Sequence, residues 1–489
     1  MPKHNKIYPS PEANSWSSRK TAIREVADSV APHRKNWISR NRFYYEDHYR
    51  FLRFLVPDDA KVLDLGCGIG DLLGALKPSV GVGIDLSKAT IEIAQHTYPK
   101  YDFYVGDIED SKVLARVQGP FDVIVLSDTI GMIEDIATTL KLLHPLCDPD
   151  TRIIVSYYSQ LWGPVLKLAE IVGLKQRQVP LNWLTASEIE QLLHLADFEV
   201  VKRELRQLLP KRLLGFGTLV NRFLGWLPGL RRLCLRNYVV ARPVVHADTA
   251  ELSVSIVIPC RNERGNIEAA VERMPRFCQD MEILFVEGNS EDGTRQEIER
   301  VIKAHPDWII RSLQQSGQGK GDAVRKGFEE AHNDILMILD ADLTVPPESL
   351  PQFYEALVTG KGEFINGSRL VYPMDPQAMR FLNLIANRTF SVLFSWLLNQ
   401  RLTDTLCGTK VLTRRHYKKI AANRDYFGEF DPFGDYDLLF GASKLNLKVV
   451  EIPIRYAARN YGETQISRFR DGWLLIRMVL FAWLKMKAF

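Results

Sequence analysis

The chain has 489 residues, 46% of them hydrophobic, and a formal charge of +4; that leaves room for about two to four domains, and so small a charge names no partner and gives no ground for expecting nucleic acid. Its six cysteines, Cys67, Cys147, Cys234, Cys260, Cys278 and Cys407, are scattered without a C-x-x-C pair, which argues against a zinc site or a disulfide framework and for a reducing, cytosolic setting. Residues 1–6 are too polar for a signal peptide, and no uncharged apolar run reaches the ~18–20 residues of a membrane span.

Residues 1–40 are polar and mixed, and are expected to form a partly ordered N-terminal arm. Residues 42–54, rich in aromatics and charges, read as a helix leading into the first domain. Residues 61–73 then read as a strand, a glycine-rich turn and a helix start, with Asp64, Gly66, Cys67, Gly68 and Gly70 in the turn region. Such glycines admit a ligand close to the backbone and present N–H groups to it. A second strand, 80–86, carries Asp85 at its end, where an acid can take two ribose hydroxyls. A third, 102–105, runs into Gly106-Asp107-Ile108, and a fourth, 121–126, into Ser127. Residues 153–157, 198–202 and 238–241 follow as fifth, sixth and seventh strands.

The G-x-G-x-G spacing, with Asp85 and Asp107, differs from the G-x-G-x-x-G of nicotinamide enzymes. It resembles class I S-adenosylmethionine-dependent methyltransferases over roughly residues 40–243. The resemblance implies a Rossmann-like α/β fold and S-adenosylmethionine as cofactor. Asp64 would shape the loop, and Gly66, Cys67, Gly68 and Gly70 would lie beside the methionine part. Asp85 would hold the ribose, Asp107 and Ile108 the adenine, and Ser127 would complete the pocket. Glycines and acids that merely close turns, a nicotinamide site, and a methyltransferase-like scaffold without activity stay open as alternatives. No catalytic base stands out, and the methyl acceptor is not named by the sequence. Between the last two strands, residues 208–233 mix Leu, Phe and Trp with Arg and Lys and contain no acid. Such an insertion suits either the headgroup region of a membrane or packing on the other domain.

Residues 244–252 read as a linker, and 253–489 as a second α/β domain. Strands are expected at 254–258, before Pro259-Cys260-Arg261-Asn262-Glu263, and at 283–286, before Glu287. Gln318-Gly319-Lys320-Gly321-Asp322 opens a helix. The apolar run 335–339 reads as a buried parallel strand, followed at once by Asp340-Ala341-Asp342 at the working edge of a sheet. Two carboxylates at i and i+2 can grip one hard divalent cation; capping the helix that starts at Pro346-Pro347-Glu348 is the plainer alternative. Gly367-Ser368-Arg369, the stretch 404–410, and Asp435-Tyr436-Asp437 follow.

In this order the motifs resemble inverting glycosyltransferase family 2, in its dolichyl- and polyprenyl-phosphate sugar transferase branch. The resemblance implies a GT-A fold, a UDP- or GDP-linked sugar donor and a polyprenyl or dolichyl phosphate acceptor. Pro259, Arg261, Glu263 and Glu287 would line the nucleoside, Lys320 and Asp322 the diphosphate. Asp340 and Asp342 would hold Mg²⁺ or Mn²⁺, and Arg369 would face the acceptor phosphate. A hydroxyl acceptor, such as a polysaccharide or glycolipid, would instead require a base, with Asp435 or Asp437 in that role. Glu287-Gly288 stands where many relatives have two aspartates, and Thr344 where some have a glutamine that can bind the metal. Aromatic and basic stretches near 377–400 and 468–489 suit interfacial helices or core helices. The expected whole is a bifunctional, cytoplasmic enzyme held peripherally on the inner face of a membrane.

Overall fold

The structure, a computed structural model, describes residues 16–176, 179, 181–227, 229–245, 251–372, 381–424, 436–457, 461 and 468–488, without the side chains of 381–385 and 468–472. Asp435 and most of the expected linker lie outside the described residues. Contacts divide the chain into two compact units, Met1–Val244 and Val245–Phe489.

The first unit is built on seven strands: β1 (Lys61–Leu65), β2 (Val80–Asp85), β3 (Asp102–Val105), β4 (Val123–Ser127), β5 (Arg152–Tyr158), β6 (Phe198–Arg206) and β7 (Arg236–Pro243). Their order is β3-β2-β1-β4-β5-β7-β6. β1 to β5 run parallel, while β7 is antiparallel to both its neighbours. The near-continuous Val, Ile and Leu of β1, β4 and β5 are what burial on both faces requires, and these strands are buried apart from Lys61 and the end residues Ser127 and Tyr158. The N-terminal region differs from the expected arm. Ser18–Arg40 is a 23-residue helix, capped by Ser17 through the N–H of Lys20, and it packs on the helix Lys88–Thr97. The 208–233 insertion is no single amphipathic helix. It is a chain of short turns: Leu213–Gly215, Phe216–Leu219, Val220–Leu224 and Leu230–Leu233.

The second unit contains β8 (Val254–Cys260), β9 (Met281–Glu287), β10 (Ile309–Gln314), β11 (Ile335–Ile338), β12 (Phe364–Ser368), β13 (Lys410–Thr413) and β14 (Val449–Pro453), ordered β10-β9-β8-β11-β13-β12-β14. β11 is fully buried, as its apolar run predicts. It pairs parallel with β8 and antiparallel with β13. Because β13 runs backwards, its amino end meets the carboxyl end of β11, which decides the make-up of the site described below. The helices Phe381–Leu398 and Arg468–Met486 pack on each other. The first buries Phe390, Phe394, Leu397 and Leu398; the second buries Leu475, Met478, Ala482 and Met486 but leaves Trp473, Ile476, Leu480 and Leu484 exposed. Among the described residues no helix is long and apolar enough to cross a membrane.

Candidate functional sites

Strand order in the first sheet reverses between β1 and β4, and the carboxyl ends at such a switch point form the ligand crevice of α/β sheets. A cavity of about 530 Å³ lies there. Asp64, Gly66, Cys67, Gly68, Asp85, Asp107, Ile108 and Ser127 all line it. Gly70 does not; from a left-handed φ of 79° it starts the helix Asp71–Leu76. Gly68 also has positive φ, and no atom lies within 4 Å of where its Cβ would stand, so a ligand can approach the backbone. Asp85 Oδ2 accepts from the Gly68 N–H at 2.8 Å, and Oδ1 from the Ser87 N–H at 2.9 Å. Burial pushes the Asp85 carboxyl up, against the pull of these bonds.

Asp64 is 1% exposed, and its Oδ1 has no hydrogen-bond partner. Burial, and then the charge of Asp85, push its carboxyl up to about 8. An orphaned carboxyl oxygen beside a glycine loop suits an incoming ammonium group, so the donor set fits the methionine part of S-adenosylmethionine. The raised value has a stability consequence. The folded state keeps its proton while the unfolded one loses it near ~3.9. This contribution is therefore full below about pH 4 and lost as pH rises toward 8. Asp64→Asn should flatten the fall in first-unit stability across that window, as followed by denaturant unfolding at a series of pH values. An unaltered slope would show that Asp64 is already ionised in the folded state.

The helix Ser18–Arg40 completes the cavity. Lys20 Nζ reaches Asp107 at 2.7 Å and Glu109 at 3.2 Å, and Asp28 accepts from Ser87 Oγ. His48, on the helix Arg42–Leu55, lies 2.8 Å through Nε2 from Ser127 Oγ and 2.8 Å through Nδ1 from Tyr238 Oη. Burial, and then Arg236, hold its pKa well below the ordinary histidine value. It is therefore a neutral imidazole at the end of β4. Arg236, fully buried, forks onto Asp128 at 3.0 and 2.7 Å and touches Tyr44 Oη, which donates to Tyr158 Oη at 2.8 Å. Sequence reading missed Lys20, His48, Tyr44 and Arg236. The one available signal was the density of His and Tyr in 42–54.

In the second unit the carboxyl ends of β8, β9, β11 and β12 share an edge with the amino end of β13. Asp340 Oδ1 pairs with Lys320 Nζ at 2.6 Å. Burial pushes the Asp340 carboxyl up, but Lys320, with Lys410 and Arg369 behind it, holds it below the usual carboxylate range. A Cβ on Gly408 would stand 2.0 Å from Asp340 Oδ2 and 2.4 Å from Lys320 Nζ, so a side chain here would have to displace the carboxylate and the ammonium. Asp342 Oδ1 accepts from Thr344 N at 3.1 Å and Thr344 Oγ1 at 2.8 Å. Thr344 thus orients Asp342 at the position where a glutamine could have bound metal. Asp340 beside Gly408, and Asp342 two residues on, carry the hard oxygen donors that a Mg²⁺ or Mn²⁺ ion requires.

Glu287 ends β9, next to Cys260 of β8, and accepts from Ser290 N. Glu263 Oε2 accepts from Asn266 Nδ2 at 2.6 Å; Pro259 is half-buried and Arg261 exposed beside it. Asp322 Oδ2 accepts from Gly317 N at 2.8 Å, which ties down the loop ahead of Lys320. Arg369 is committed in a way the sequence did not indicate. Its Nε and Nη2 fork onto Asp404 at 2.6 and 2.9 Å. Asp404 is fully buried and also accepts from Asn387 Nδ2 and Leu406 N, both at 3.0 Å. Among the described residues no hydrogen bond engages the remaining Arg369 nitrogen, Nη1. Asp437, in the first turn of Tyr436–Lys444, accepts from Arg424 Nε at 3.0 Å.

Comparison with known proteins agrees with both units. Residues 38–203 match a methyltransferase domain model, and residues 255–426 match glycosyl transferase family 2. A dolichol-phosphate mannosyltransferase of Pyrococcus furiosus is 36% identical over 24% of this chain and 34% of its own. Glycosyltransferase AglD of Haloferax volcanii is 26% identical over 48% of this chain and 38% of its own. A polyprenol monophosphomannose synthase of Mycolicibacterium smegmatis is 28% identical over 43% of this chain and 80% of its own. The chain thus spans little more than a third of the length of the first two. Its order of domains is a methyltransferase domain with a Rossmann-like fold, followed by a glycosyl transferase family 2 domain with a GT-A fold.

Proposed function

We propose that the second unit transfers a sugar, with inversion, from a UDP- or GDP-linked donor to a polyprenyl or dolichyl phosphate. The observation that carries this reading is the cluster of Asp340, Lys320, Gly408 and Lys410 at one sheet edge. Asp340 and Asp342 would hold Mg²⁺ or Mn²⁺, which supplies neutralising charge to the departing diphosphate. Pro259, Arg261, Glu263 and Glu287 would line the nucleoside; Lys320 and Asp322 would lie at the diphosphate. A phosphate acceptor, with a second pKa near ~6, is mostly dianionic at neutral pH and needs no base. One of its oxygens forms the new bond to the anomeric carbon as the bond to the diphosphate breaks. Arg369, held by Asp404, has Nη1 without a hydrogen bond among the described residues, and it would face that acceptor. Relatives named for dolichol and polyprenol phosphate products support this choice over a hydroxyl acceptor. A screen of UDP- and GDP-sugars against polyprenyl phosphate, with mass detection, tests it. Transfer only to hydroxyl acceptors, lost in Asp437→Asn and kept in Arg369→Ala, would reverse the assignment.

The first unit is read as an S-adenosylmethionine-dependent methyltransferase. The bound cofactor supplies a methyl group on a sulfonium. Asp64 and the glycine loop would hold its methionine part, Asp85 its ribose, Asp107 and Ile108 its adenine. His48, kept neutral by burial and Arg236, would orient Ser127 Oγ at the end of β4 rather than carry a proton. Asp85→Ala should weaken S-adenosylmethionine binding by roughly 1–3 kcal/mol, the cost of losing the partner of a buried polar group. Calorimetry on the full chain measures this, and unchanged affinity would remove Asp85 from the site.

The chain is further read as a peripheral membrane protein of the cytoplasmic face. The exposed Trp473, Ile476, Leu480 and Leu484 along one helix support this.

A further inference from the structure

The first unit carries an apolar surface that none of the three readings above uses. The helix Gly163–Ile171 buries none of its nine residues. Its Val165, Leu166 and Ala169 line the cavity, while Leu168 and Ile171 are 60% and 76% exposed. The helix is therefore a wall between the cavity and an exposed apolar face. Trp162, just ahead of it, donates from Nε1 to the Leu233 carbonyl at 2.8 Å. That bond joins the helix to the turns of residues 213–233, where Leu214, Phe216 and Leu219 are also exposed. Leu213 and Leu214 both have positive φ, 45° and 56°, a costly conformation for leucine, and both side chains stand exposed. Singly scattered apolar residues on a surface need no explanation, but a contiguous group of this kind does.

Charge identifies the occupant. Between Glu204 and Asp248 the sequence has no acid. Lys211, Arg212, Arg222 and Arg232 are exposed among the apolar side chains, with Arg231 half-buried beside them. Apolar side chains set among cations are what the headgroup and acyl boundary of an anionic bilayer accepts. Val165 and Leu174, both more than half exposed, also line the cavity, as do Pro210 and Lys211, so the cavity opens within this face.

We propose that the first unit docks on an anionic lipid bilayer through Gly163–Ile171 and the turns of residues 211–233, with the mouth of its cavity at the lipid surface. A ligand entering there would be an amphiphile borne by the bilayer. That corollary rests on the cofactor reading of the cavity; the docking does not.

Hydrogen–deuterium exchange on the full chain tests the docking, with vesicles of phosphatidylcholine alone or with phosphatidylglycerol added. Peptides covering 163–174 and 211–227 should exchange about tenfold more slowly with the anionic vesicles. The double variant Arg231→Glu/Arg232→Glu should lose that protection while its calorimetric affinity for S-adenosylmethionine stays unchanged. Protection confined to 468–488, no vesicle binding, or equal protection by neutral vesicles would overturn the proposal. Protection of the two peptides in a chain that binds no S-adenosylmethionine would uphold the docking and overturn the cofactor reading.

Discussion

Asp342→Asn should reduce sugar transfer by roughly 10²–10⁴-fold, the scale of losing several kcal/mol of charge stabilisation at a departing diphosphate. Asp340 is paired with Lys320, so its replacement would also free a cation at the sheet edge. Asp342 accepts from the N–H and hydroxyl of Thr344, bonds an asparagine oxygen can still accept, so the variant keeps those bonds while losing the charge. S-adenosylmethionine affinity should not change, because the two units have separate cores. Initial rates with one nucleotide sugar, alongside calorimetry on the same preparation, check both halves. Wild-type transfer that survives a chelator would remove the metal from the scheme.

The second large effect is expected at Asp404. Removing one partner of a buried ion pair leaves the other uncompensated and costs about 3–5 kcal/mol. Asp404 has no exposed surface, and the Arg369 side chain is 12% exposed. Burial would push the Asp404 carboxyl up, but Arg369, with Asn387 and a backbone N–H, holds it below the usual range. Asp404→Ala should lower the denaturant midpoint of the second unit and leave that of the first in place. Replacing the pair with neutral groups that keep the acceptor for Asn387 and Leu406, as in Asp404→Asn/Arg369→Met, should cost less stability than Asp404→Ala while still lacking sugar transfer. That contrast separates holding the fold from presenting Arg369 to the acceptor. Equal loss of stability in the single and double variants would mean that the pair is not the source of the effect.

Much of this molecule was legible before any coordinates. Apolar runs marked the parallel strands β1, β2, β4, β8, β9 and β11, because a strand buried on both faces must be apolar almost throughout. The same pattern put Asp85 and Asp340 at the carboxyl edges, since a polar residue straight after a buried run must lie where the sheet ends; Asp64 instead sits inside β1, one residue before its end. β10, β12, β13 and β14 were not read as strands: in β12 an Asn-Gly-Ser follows only two apolar residues, and β14 carries Glu451 and Pro453, so neither shows a sustained apolar run. β10 is half-exposed and carries Arg311 and Gln314, so its pattern is that of an edge. β13 has four residues and begins with Lys410, too short for a periodicity to show.

Tertiary structure alone decided the rest, because a linear pattern carries no information on which distant segments meet. The reversed direction of β13 brings Gly408 and Lys410 to Asp340, some seventy positions away in sequence. Asp404 lies in a stretch the sequence singled out, but its bond to Arg369 depends on a loop crossing to β12. Lys20 and His48 lie in segments whose composition reads as an arm and an entry helix. Only packing of those helices over the carboxyl ends of the first sheet sets them at Asp107 and Ser127. The sequence by itself determined the buried parallel strands and the acids that follow them; the cations, the neutral histidine and the buried ion pair that give those acids their chemistry come from chain crossings that local pattern does not encode.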